Sequence, residues 1–304
     1  MGFTEEMNHS HLTQVFESGS SGDPLDEILT LLSSIAPSYS QESLRQLHQE
    51  IADFFAGDHS EYRPSNTKYH NLGHTYSVVL ATTRLFHGLS CEERHVSEET
   101  LKKALYCAYF HDCGLLLRNS ENATTGAAYT KEHEERSILF MERYLQERGF
   151  PPSFITDCSF IIQCTNLNVD PDTLAFPSEE IKLAGFVVGS ADILAQMADR
   201  YYLERLPFLF QEHKEGGITI HNSAVELMQH TTFFYHHVII DRLERVFFNI
   251  VEAMRTHFRE RWNLDRNLYM ENIDNNIKYI KTVALSCEDE HECLQQFLRR
   301  KPPF

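Results

Sequence analysis

The stretch AGFVVGSADILAQMA, residues 184–198, decides the fold. Its β-rich start, FVVG, invites a strand, but the run is fifteen residues long and shows no period-two alternation, so a helix is the better reading. A helix that is apolar all round is a buried one. Its single charge, Asp192, must then be neutralised from outside its own helix, by a lysine or arginine or by a bound cation. HHVII at 236–240 likewise sits inside a longer helical pattern.

Working outward, helical signals dominate from about residue 24. Asp23 and Pro24 open a first helix, and Ser40 and Gly57 bracket a second. Further helices are expected at 69–87, 97–112, 131–148, 152–165, 179–198, 199–213, 221–260, 265–284 and 288–299. The expected fold is all-α: a single helical domain with a C-terminal helical extension. Residues 1–22 read as a flexible tail, 23–215 as the core and 216–304 as C-terminal helices packed on it.

The chain has 304 residues, 42% apolar and 23% charged, ordinary for a globular protein. It contains no run of about eighteen apolar residues, so no membrane span is expected. The first residues lack the basic and apolar segments of a secretory signal. Seven cysteines without a C-x-x-C pair point to reduced thiols and a cytoplasmic location. With 27 Lys+Arg against 44 Asp+Glu the net charge is −17, which disfavours a nucleic-acid duplex as partner.

Two more polar insertions interrupt apolar helices. In YHNLGHTYSV, residues 69–78, His70 and His74 share a helical stripe with Val78, Ala81 and Leu85. In ALYCAYFHDCG, residues 104–114, His111 and Asp112 end an almost wholly apolar helix. Each insertion alone suits a buried hydrogen-bonded pair. Together with Asp192 they supply the nitrogen and oxygen ligands that a divalent ion accepts. TTFFYHH, residues 231–237, reads as core packing, because neighbouring helical residues point about 100° apart.

These residues resemble the HD-domain superfamily of metal-dependent phosphohydrolases, whose pattern His…His-Asp…Asp is carried by His74, His111, Asp112 and Asp192. YHNLGH is similar to the YHNxxH signature of the cyclic-nucleotide phosphodiesterase branch, FHDCG to the setting of the doublet, and KEHEERSIL to an acidic-Ser segment. The resemblance spans roughly residues 65–200. It implies that His74, His111, Asp112 and Asp192 bind one divalent ion, that Asp112 bridges to a second, and that the ion is any of Zn, Mn, Mg, Fe, Ni or Co. It also implies that His70 is the general acid and that Glu134 or Glu135 orients a water; by position alone these two glutamates equally suit the solvated first turn of a helix capped by Thr130. Tyr69 and Asn71, which flank the acid, and Gln196 and Arg200, four and eight residues after Asp192, are the candidate substrate contacts.

The expected activity is hydrolysis of a phosphate ester, monoester or diester, in a small phosphorylated substrate that includes nucleotides. CGLLLRNS after the doublet lacks the next His and Asn of the mammalian-type phosphodiesterases, so cyclic-nucleotide specificity does not carry over. Two other classes stay open. A di-iron oxygenase needs more histidines than His133 between Asp112 and Asp192; a non-catalytic regulatory HD module needs fewer ligands than this chain keeps.

Overall fold

The computed structural model describes residues 23–287, Leu294 and residues 296–298. The tail at 1–22 and most of the helix expected at 288–299 lie outside the described residues. Eleven α-helices make up the described fold: α1 Leu25–Ile35, α2 Gln41–Ala56, α3 Leu72–Cys91, α4 Glu98–Phe110, α5 His133–Glu147, α6 Pro152–Gln163, α7 Glu179–Met197, α8 Tyr202–Glu215, α9 Ala224–Phe234, α10 Ala253–Trp262 and α11 Leu268–Ser286. Among the described residues the only β feature is one isolated bridge, Tyr62 to Arg118.

Side-chain caps place the starts of several helices. Ser40, Ser97, Ser178 and Ser223 each accept a hydrogen bond from a backbone N–H of the first turn of α2, α4, α7 and α9. Gly57, at φ 79°, ends α2 in the left-handed region as its position predicts.

α3 is the central element. It packs against α1, α4, α7 and α10, so a helix from the C-terminal third covers one of its sides. Gly88 permits this contact: a Cβ there would lie 1.9 Å from the Ala253 carbonyl oxygen. One apolar cluster runs from Ile28 through Phe258 to Cys287, joining residues on both sides of position 215. Among the described residues no single helix is long and apolar enough to cross a membrane; α7 and α8 pass such a test only as a pair bent by 109°.

The single helix expected over 221–260 is broken. After α9 the chain makes two π-helical turns, Tyr235–Ile239 and Arg242–Val246, then reverses through Phe248 and Asn249 at φ 51° and 55° before α10. Two consecutive residues in the left-handed region cannot continue a right-handed helix. The cysteine expectation also needs correction: Cys91, Cys107, Cys113, Cys158 and Cys164 are free, whereas Cys287 is disulfide-bonded.

Candidate metal centre

α3 begins at Leu72, not at residue 69. Asn71 is its N-cap: the side chain accepts from His74 N and donates to the Lys68 carbonyl. Asn71 therefore serves the helix start. His70 lies before the cap, so it does not share a helical stripe with His74. The two rings still converge, with centroids 6.2 Å apart, because the turn aims His70 inward.

α4 ends at Phe110, and the next two residues are the doublet. This turn is fastened to α5: Gly114 N donates to Ser137 Oγ at 2.8 Å and Arg136 Nε donates to the Gly114 carbonyl at 2.8 Å. Gly114 is required there, since a Cβ would sit 2.0 Å from the His133 carbonyl oxygen. The fastening brings His133 to the doublet. Thr130 is not the cap of α5; its carbonyl lies 2.8 Å from His133 Nδ1, and Glu132 holds the cap position.

His74, His111 and Asp112 offer one ligand atom each, all within 4.8 Å of one another. His74 Nε2 and His111 Nε2 are 3.2 Å apart, and Asp112 Oδ2 lies 3.5 and 3.3 Å from them. Asp192 Oδ1 approaches the same two nitrogens at 3.1 and 3.7 Å. Metal–ligand bonds of about 2.1 Å place neighbouring ligand atoms about 3.0 to 3.4 Å apart in octahedral or tetrahedral geometry, so these spacings suit one shared cation. The donor set, two imidazoles and two carboxylates, suits a divalent ion.

Electrostatics point the same way. His74, His111 and Asp112 are at most 3% exposed, and Asp112 Oδ2 has no hydrogen-bond partner. A buried carboxylate oxygen without a donor is costly unless a positive charge faces it. His111 places Nδ1 2.8 Å from the Ala108 carbonyl, to which it donates, directing Nε2 at the carboxylates. Burial would lower the His111 pKa, yet Asp112 and Asp192 hold it up at about 9. Burial would raise that of Asp112, yet the surrounding imidazoles hold it well below the usual carboxylate range. Two buried acids thus require positive charge, from protons on the imidazoles or from a cation.

The other expected residues divide. Gln196, one turn after Asp192, donates to Asp192 Oδ1 at 2.8 Å and accepts from the Tyr69 hydroxyl at 3.2 Å, so both residues hold Asp192 in place. Arg200 lies past the end of α7, exposed and stacked 4.7 Å from the Tyr201 ring, and does not share Asp192's helical face. Glu134 sits at the rim, 3.2 Å from His133 Nδ1; burial raises its pKa, and Asp112 and Asp192 add to the rise. Glu134 and Glu135 both line a groove along α5.

Sequence reading missed two residues. Glu212 on α8 is 2.7 Å from His70 Nδ1 through Oε2 and accepts from Tyr69 N at 2.7 Å through Oε1. Burial would lower the His70 pKa, but Asp112 and the bond to Glu212 carry it to about 9. His133 Nε2 lies 3.5 Å from Asp112 Oδ1, the oxygen that faces away from His74 and His111. Nothing in QEHKE, residues 211–215, marks Glu212 as buried, and His133 was noted only for being the sole histidine between the doublet and Asp192. Compared with protein-family models and with curated proteins, the sequence matches none.

Proposed function

We propose that the protein is a metal-dependent phosphohydrolase built on the cluster of His74, His111, Asp112 and Asp192. The observation that carries this reading is the buried, unpartnered Asp112 Oδ2 set against two imidazole nitrogens at ligand spacing. The HD-type resemblance supplies the reaction class.

A divalent ion held there would neutralise phosphate charge and bring the pKa of a water toward neutrality. The chain's own groups do the rest. His70, protonated and held by Glu212, stands at the edge of the cluster and gives its proton to the departing ester oxygen. The bond from phosphorus to that oxygen breaks as the bond from the water oxygen forms, leaving an alcohol and either phosphate, from a monoester, or a phosphomonoester, from a diester. Gln196 and Tyr69 fix Asp192, and Glu134 at the rim orients water. The positive centre also answers the net charge of −17, which by itself repels an anionic substrate.

The test joins metal analysis to a panel of phosphomonoesters, phosphodiesters and nucleotides. Asp112→Ala should lose bound metal and hydrolysis together. His70→Ala should retain metal and turn over roughly a hundredfold more slowly or worse. A metal-loaded wild type that hydrolyses no member of the panel would overturn the reading in favour of a non-catalytic role.

A further inference from the structure

A groove of about 400 Å³ runs beside the candidate centre, between α5 and the loop that follows α6. Glu134 belongs to both places: it lines the groove, and its carboxyl feels Asp112 and Asp192. His133 joins the two places, with Nε2 3.5 Å from Asp112 Oδ1 and Nδ1 3.2 Å from Glu134 Oε2. The groove therefore starts at the rim of the centre.

Along α5 the groove presents Glu134, Glu135 and Glu142, with Ile138 and Leu139 between them. Eight residues of helix separate the first carboxylate from the last, about 12 Å. Leu139 is 61% exposed, so its aliphatic surface is open to a ligand in the groove. The opposite wall holds Asn166 and Val169. That wall is fixed from behind: the Arg242 guanidinium, 7% exposed, donates to the carbonyls of Val169, Cys164 and Asn166 at 2.7, 3.2 and 3.1 Å. None of the lining residues carries positive charge.

Such a surface disfavours a second phosphate or a carboxylate. It complements a chain of methylenes that ends in an ammonium group, with aliphatic side chains against the methylenes and carboxylates against the charge. We propose that the groove binds the leaving group of the substrate and that this group is an alkylammonium, so that the substrate class is an amine-bearing phosphate ester. The phosphate half of this assignment rests on the phosphohydrolase reading; the amine half does not.

Two measurements separate them. Calorimetry with 1,4-diaminobutane, which carries no phosphate, should detect binding to the wild-type chain, weakened by salt and by Glu142→Gln and restored by Glu142→Asp. Steady-state kinetics on the metal-loaded protein should give a higher kcat/KM for 6-aminohexyl phosphate than for n-heptyl phosphate, its uncharged counterpart, and Glu142→Gln should lower that ratio roughly fivefold. Equal kcat/KM for the two esters with no diamine binding would overturn the groove assignment and leave the hydrolase reading standing. Glu142-dependent diamine binding by a chain that hydrolyses neither ester would overturn the hydrolase reading and leave the amine groove standing.

Discussion

Asp112 places its two oxygens differently: Oδ2 between His74 and His111, Oδ1 toward His133. Imidazole ligands must be deprotonated to bind metal, and His111 without metal holds its proton up to about pH 9, so metal affinity should fall as pH drops below about 9, with proton release on loading. Calorimetric titration in two buffers of different ionisation enthalpy checks this. Glu212 gives a separate expectation. A general acid must be protonated, so activity declines as pH rises through the His70 pKa. Glu212→Gln removes a bond that raises that pKa, and the alkaline limb of the pH–rate profile should move to lower pH. A profile left in place would detach Glu212 from His70's protonation. Much of the centre was legible in the residues: each cluster member stood out as a polar group on an apolar segment. Glu212 was not legible, because it comes from a helix of ordinary amphipathic composition 142 residues after its partner. The alignment of Arg200 with Asp192 failed because α7 ends at Met197.

At the scale of elements, α10 packs against the C-terminal half of α3 through Gly88, His87 and Arg84. Gly88→Ala would drive a methyl group into the Ala253 carbonyl and should cost about 1 to 3 kcal/mol, measurable by urea denaturation. The same seam buries His257 completely, with Nδ1 3.3 Å from His87 Nδ1 and Nε2 unpartnered. Burial, with Arg84 and His87 nearby, lowers the His257 pKa to about 2. The unfolded chain binds this proton below the ordinary imidazole pKa, whereas the folded chain does not. Stability from this residue is therefore complete above about pH 6.5 and falls by roughly 1.4 kcal/mol per pH unit below it. His257→Asn should flatten the acid side of a stability-against-pH curve. Helix type was legible throughout α1 to α8 from the apolar runs, with serine caps agreeing at α2, α4 and α7. The break near residue 248 was not, because Phe248 and Asn249 take positive φ with no glycine to announce it.

For the whole molecule, helices on both sides of residue 215 share one apolar cluster, and α10 covers α3. A chain ended after Gly216 should lose cooperative thermal unfolding, since the side of α3 that faces α10 would be left uncovered. Calorimetry on the shortened chain checks this. Conversely, a divalent ion at the centre would tie α3, the doublet and α7 together, and a ligand at a hundred times its Kd adds about 2.7 kcal/mol to folding stability.

The π turn Tyr235–Ile239, which precedes Arg242, carries one more consequence. Such a turn is what a helix looks like after gaining an extra residue that its neighbours could not expel. Deleting His237, on the outer side of the first turn, should let the segment relax to ordinary α geometry and rotate everything beyond it by about 100°. The guanidinium would then swing off the three carbonyls it braces, and the wall bearing Asn166 and Val169 would loosen even though neither residue had been touched.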